Sequence, residues 1–175
     1  MTAGAEPPPP VIRSFAPIAD TRCRALILGS MPGVASLREG RYYAHPRNAF
    51  WPIMTELLQL DPKAGYEERF HGLLRRGIAL WDVAAQCRRP GSADAAIREC
   101  RPNDIPGLTK KCPELRHIYF NGRAAQQLFF RFMPADLVEN AGIGTHRLPS
   151  TSPAYPLAFE DKLDAWRAIL RGLKM

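Results

Sequence analysis

Short apolar runs alternate along this chain with longer segments whose apolar residues recur every three or four positions. Ala25–Gly29 (ALILG) and Gly77–Val83 (GIALWDV) are near-continuous apolar runs, the pattern of strands buried on both faces. His117–Phe120 (HIYF) reads as a third strand and Thr145–Leu148 as a fourth, broken by Pro149. Phe50, Met54, Leu57 and Leu58 fall at helical spacing and predict a helix over Asn48–Leu60, with Pro52 tolerated near the first turn. A second helix is expected over Tyr66–Arg76, stopped at Gly77. A third follows the Asn121-Gly122 turn, with Leu128, Phe129 and Phe132 on one face. Phe159, Leu163, Trp166, Leu170 and Leu173 form the clearest apolar stripe and predict one long C-terminal helix. Gln86–Arg101 reads as a basic loop.

Strands alternating with helices predict an α/β fold: a three-layer α/β/α sandwich with a central four-stranded, mostly parallel sheet. A length of 175 residues suits one domain, expected over residues 21–175 behind a flexible, Pro-rich N-terminal segment (1–20) that begins MTAGAEPPPP. Ligands of such sheets lie beyond the carboxyl ends of the strands. Here those ends are Gly29–Gly33, Asp82, Asn121 and Ser150–Tyr155.

Composition narrows the partner. Lys and Arg number 24 against 17 Asp and Glu, a formal charge of +7, and only five of the 24 are lysines. Arginine grips phosphate as a planar fork and stacks on bases, so a polyanionic partner becomes more plausible; a GC-rich gene would enrich arginine as well. The first ten residues hold Glu6 and four prolines but no apolar leader, and no apolar run approaches the ~20 residues of a membrane span. A cytoplasmic protein without membrane association is expected. Cys23, Cys87, Cys100 and Cys112 form no C-x-x-C pair, so reduced thiols and no metal are expected.

The segments at the strand ends carry the chemistry. GSMPG (29–33) is a tight loop without the lysine of a phosphate-binding P-loop and without a dinucleotide fingerprint; alone it reads equally well as a structural turn. Taken with YYAHPRNAFW (42–51), GIALWDV, FNGRAA (120–125) and LPSTSPA (148–154), it resembles the uracil-DNA glycosylase superfamily, most closely its hypoxanthine-DNA (deoxyinosine) glycosylase group. The resemblance covers about Arg24 to Tyr155. It implies a four-stranded parallel sheet between helices and cofactor-free, monofunctional hydrolysis of the bond joining a damaged base to deoxyribose. DNA containing deaminated bases, hypoxanthine first and uracil or xanthine as further candidates, would be the partner of a monomer at the nucleoid.

The resemblance also implies roles. Tyr43 matches the stacking aromatic that covers a flipped base, and could equally be a packed tyrosine. Asn48 matches the catalytic asparagine that orients water; directly before an apolar helix it is also a favoured cap. Met31 stands where mismatch-specific relatives carry Asn, which shifts the burden to Asn48. Ser150 stands where relatives carry His or Asn, and can donate a hydrogen bond to the leaving base. Asp82 ends the second strand where uracil enzymes place a base-reading asparagine; a carboxylate there would accept the N1–H that hypoxanthine has and adenine lacks, or would simply cap a turn. Ser30 completes the base pocket. Ser150–Ala154 resembles the phosphate-gripping and wedge loop, with Ser152 as a phosphate contact. Ala154 replaces the leucine wedge and leaves Tyr155 as the intercalator. Arg47, Arg88, Arg89 and Arg147 are candidate phosphate contacts, with Arg38 and Arg41 on the same DNA-facing surface. No lysine near the motifs suggests Schiff-base chemistry. The rival readings are a catalytically degenerate domain that binds lesions without cleavage, and a small-molecule nucleoside hydrolase.

Overall fold

The computed structural model describes residues 7–174. In chain order the elements are β1 (Val11–Arg13), β2 (Ala25–Gly29), α1 (Val34–Glu39), α2 (Phe50–Leu58), α3 (Tyr66–Arg75), β3 (Ile78–Asp82), β4 (Ala84–Arg88), β5 (Arg98–Pro102), α4 (Ile105–Lys111), β6 (His117–Asn121), α5 (Arg123–Phe132), α6 (Leu137–Asn140), β7 (Gly144–Leu148), α7 (Phe159–Trp166) and α8 (Ala168–Leu173).

The main sheet has the order β3-β2-β6-β7, and all its pairs are parallel. Every residue of β2 and β3 is buried, which is why both read as apolar runs rather than alternating patterns. On β6 the faces separate. The Phe120 ring lies 5.1 Å from Phe129 of α5, while Tyr119 donates to the Ala168 carbonyl at the start of α8. Phe50 of α2 meets Trp166 of α7 edge-on at 5.9 Å. Helices therefore cover both faces, and the three-layer α/β/α sandwich stands. The predicted C-terminal helix is two helices: Arg167 closes α7 and opens α8. Trp166 is pinned through Nε1 to the Pro149 carbonyl, and α8 beyond the break packs on β2.

The expected basic loop is the tip of a β-hairpin, with both ends in strands. β4 and β5 are antiparallel and join β1 in a second sheet of order β1-β4-β5. A small cluster of Met31, Ala84 and Cys87 lies beneath, with Ile12, Ile97 and Cys100 packed against it. This corrects the expectation of a flexible segment through residue 20: Val11–Arg13 pairs with Arg88–Gln86, and Ile18 bridges Leu80 of β3. Residues 1–6 of that segment lie outside the described residues.

Candidate active site

Asp82 is the last residue of β3 and sits in register with Gly29, the last of β2. A side chain at Gly29 would collide with Asp82 Oδ1 and come within 3.1 Å of Tyr43 Oη, so glycine here is a requirement of close approach. Past Asp82 the chain turns at Val83, whose N–H donates to the Gly29 carbonyl, and Ala84 N–H donates to the Ser30 carbonyl. Asn103 Nδ2 donates to the carbonyls of Asp82 and Ala84 and to Ser14 Oγ, fixing the junction from outside.

Across the sheet, Asn121 ends β6. Its Nδ2 donates to Thr151 Oγ1 and its Oδ1 accepts from Thr151 N–H, both at 2.9 Å. The Thr151 carbonyl accepts from Ala49 N–H at the start of α2. The serine loop and the Asn48 segment are thereby tied to one point. Gly122 follows with φ +91°, and a Cβ on it would stand 3.0 Å from Ser150 Cβ. Both constraints exclude other residues.

Between these anchors lies a cavity of about 400 Å³. It brings together Ser30, Met31, Tyr43, Asn48, Asp82, Ser150, Ser152 and Ala154, with Asn121 and Asp94 in the same lining. Asp82 is 3% exposed, and its Oδ2 has no hydrogen-bond partner among the described residues. Burial pushes its pKa up to about 7; the Asp94 carboxylate adds to the rise and the Arg89 guanidinium opposes it. Tyr43 has φ +55°, an uncommon conformation for a residue with a side chain. Its ring stacks on Phe50 with centroids 4.0 Å apart, and its buried hydroxyl makes no full hydrogen bond among the described residues, with the Asn121 side chain nearby. Burial first, and Asp82 second, hold that hydroxyl protonated. The floor thus offers a donor and a carboxylate, both unsatisfied, and such buried groups are uncommon away from functional sites.

Asn48 Oδ1 accepts from Phe50 N–H at 3.0 Å, an Asx turn one residue ahead of the Ala49 N-cap of α2, while Asn48 stays in the cavity lining. His45 shapes the same segment: its carbonyl accepts from Asn48 N–H and its Nδ1 from Arg47 N–H. Ser150 Oγ accepts from Ser152 N–H, and Ser152 Oγ from Ala154 N–H, so the loop folds on its own hydroxyls. Met31 lines the cavity, but its side chain packs into the small cluster with Ala84 and Cys87.

The arginines divide. Arg89 does not face solvent: its side chain has no exposed surface, and it donates to the carbonyls of Met31, Pro32 and Gly91 with Asp94 3.9 Å away. That geometry overturns the reading of Arg89 as a phosphate contact; it clamps the GSMPG loop to the β4–β5 hairpin. Arg88 is likewise engaged, by Glu99 at 3.0 Å and the Pro9 carbonyl. The six arginines therefore do not form one surface. Arg38 and Arg41 line a groove of about 640 Å³ that shares Tyr43, His45 and Asn48 with the cavity, while Arg47 and Arg147 are exposed. Tyr155 is 45% exposed at the end of the serine loop.

Several site residues carried no sequence signal. Asp94 reaches the cavity from the hairpin and accepts from Ser30 Oγ at 2.6 Å. Lys162, distant from every motif, places Nζ 3.0 Å from the Ser152 carbonyl. Asn103 and Thr151 could have been found only from the contacts themselves.

The strand ends of a parallel α/β sheet thus converge on a cavity with a buried carboxylate, an aromatic wall and an asparagine fixed by a backbone N–H. The family model of the uracil DNA glycosylase superfamily matches residues 16–174, and the chain belongs to that superfamily. It is 35% identical over 161 residues to a hypoxanthine DNA glycosylase of Methanosarcina acetivorans, covering 91% of this chain and 98% of the relative. A hypoxanthine DNA glycosylase of Methanosarcina barkeri is 31% identical over 155 residues, covering 88% and 94%. A solution NMR structure assigned as a uracil DNA glycosylase from M. acetivorans superposes with a TM-score of 0.80 at 33% identity, covering 94% of this chain and 99% of that one. No helix among the described residues is long and apolar enough to cross a membrane.

Proposed function

We propose that this protein is a DNA-deoxyinosine glycosylase, which hydrolyses the bond between hypoxanthine and deoxyribose and leaves an abasic site. The observation that carries the substrate is the unpaired Asp82 carboxylate at the floor of a cavity large enough for one base. The names of the two relatives support the same base. Ionised Asp82 accepts the N1–H of hypoxanthine. Adenine presents a bare N1 and would leave that carboxylate facing a lone pair, which the site rejects.

The flipped base stacks on the free face of Tyr43, whose other face is held by Phe50. The bond from Phe50 N–H fixes the Asn48 amide in one orientation, so its cavity-facing atoms can hold water against the anomeric carbon. Positive charge grows on the sugar and negative charge on the base as the bond lengthens. Ser150, whose oxygen already accepts from Ser152 N–H, keeps its proton for the departing base. Ser152, Arg47 and Arg147 contact flanking phosphates, and Tyr155 enters the gap in the stack in place of the small Ala154. The protein works as a monomer on chromosomal DNA.

The test is direct. Duplex and single-stranded oligonucleotides bearing inosine, uracil or xanthine are incubated with protein, and abasic sites are cleaved with alkali. Strand breaks are expected on inosine first. Binding to inosine DNA without breaks on any lesion would overturn the reading in favour of a domain that recognises lesions without cutting them.

A further inference from the structure

Lys162 lies in the first half of α7, outside all five motif segments, and is only 4% exposed. Its ammonium donates to the Ser152 carbonyl at 3.0 Å and sits 5.6 Å from the centre of the Tyr155 ring. Among the described residues it has no other hydrogen-bond partner and belongs to no ion pair. A buried cation that lacks a carboxylate is disfavoured, because burial strips its water and nothing replaces the lost charge solvation. Desolvation accordingly lowers its pKa. Such a charge is retained where a ligand completes it.

The surroundings name the ligand. Lys162 is the sole cation between Arg147 and Arg167. It underlies a loop whose amides at Ser152 and Ala154 are already spent on the loop's own serines. The same loop borders the base cavity. A base held in that cavity stays joined to its deoxyribose and flanking phosphodiesters, and Ser150–Ala154 forms part of the cavity lining they must pass. We propose that Lys162 is the counter-charge for one DNA phosphodiester seated on the Ser150–Tyr155 loop beside the extruded nucleotide. This rests on the glycosylase reading. It adds to the phosphate contact of that loop a charge supplied from beneath it, with the Ser152 carbonyl and the Tyr155 ring holding the ammonium in place until the phosphate arrives.

The test uses the full chain, a cleavage-resistant 2′-fluoroarabino-inosine duplex, and a set of duplexes in which one flanking phosphate at a time is a neutral methylphosphonate. Wild-type affinity should fall about tenfold at one flanking position. K162M should bind the unmodified duplex about tenfold more weakly and lose nothing further at that position. The slope of log affinity against log salt should fall by about one, the release expected of a single phosphate contact. K162R should retain both the affinity and the slope. K162M should melt no lower than wild type, since it removes an uncompensated buried charge; K162Q provides a second neutral variant for the same cycle. Losses from K162M and from the methylphosphonates that multiply at every position, or an unchanged salt slope, would overturn the proposal and leave Lys162 as a tether for the loop. A wild type that does not prefer inosine DNA over undamaged DNA overturns the glycosylase reading and this site with it. A wild type that prefers it, with K162M unaffected, removes only the site.

Discussion

The cavity has two loop walls, and each is braced by a buried cation. On the hairpin side Arg89 donates to three carbonyls and has Asp94 at 3.9 Å. On the serine side Lys162 has one carbonyl and no carboxylate. Both side chains are withdrawn from water, yet only one is compensated. Arg89 is complete without a ligand and holds the GSMPG loop against the hairpin. Lys162 is incomplete and waits for an anion. Burial alone therefore does not say what a charge is for; the inventory of its partners does.

Removing each cation in turn should separate the two most strongly. Arg89→Met leaves three carbonyls without their donor, while Asp94 keeps its bond from Ser30 Oγ, and should lose about 3–5 kcal/mol. That corresponds to a fall in Tm on the order of 10 °C, measured by thermal denaturation. Lys162→Met under the same conditions should leave Tm unchanged or raised. Equal losses from both would abolish the distinction.

The cavity floor sharpens the comparison through a third buried charge. Asp82 has its pKa raised from 3.8 to about 7, so the folded state favours the protonated carboxyl. Stability is then greatest below about pH 4 and is lost as pH rises through about 7, up to about 4 kcal/mol above that. Asp82→Asn should raise Tm by several degrees at pH 8 and change it little near pH 4. Excision of hypoxanthine should fall by roughly 100-fold or more, and the rise in wild-type rate through about pH 7 should disappear. A Tm at pH 8 below that of wild type would show that Asp82 is held as a structural anion.

Smaller effects follow outward from the site. Asn103→Ala leaves the Asp82 and Ala84 carbonyls without their donor and should lose about 1–3 kcal/mol, read by urea denaturation. Tyr155→Ala, at an exposed position, should change stability by no more than about 0.5 kcal/mol. It should slow excision from duplex DNA while leaving single strands unaffected, since only a duplex has a stack to open.

The centre of the main sheet was legible because strands covered on both faces are apolar along their length, as ALILG and the IALW before Asp82 are. β4 and β5 were not legible: AAQCR and RECRP belong to a small sheet with little covered surface, and neither shows apolar alternation. The short helices α1, α4 and α6 escaped for the related reason that four to seven residues hold too few turns to show a period. In the site, most residues that line the cavity announced themselves by motif, Asp94 excepted. The residues that hold them did not. Nothing in RRPGSAD says that its second arginine is interior, and nothing in FEDKLDAW says that its lysine lies under the loop ten residues before it. Tertiary packing decides both, and a linear pattern does not carry it.

The outermost strand also has a consequence for how the molecule is made. Val11–Arg13 pairs only with β4, while Phe15 and Ala16 supply the carbonyls that receive Trp81 Nε1 and the Tyr42 hydroxyl. During synthesis this stretch leaves the ribosome well before its partner, and at about 5–20 residues per second it waits seconds with its edge unpaired. The strand is thus made well before β4, and closes like a latch over the hairpin once that has formed.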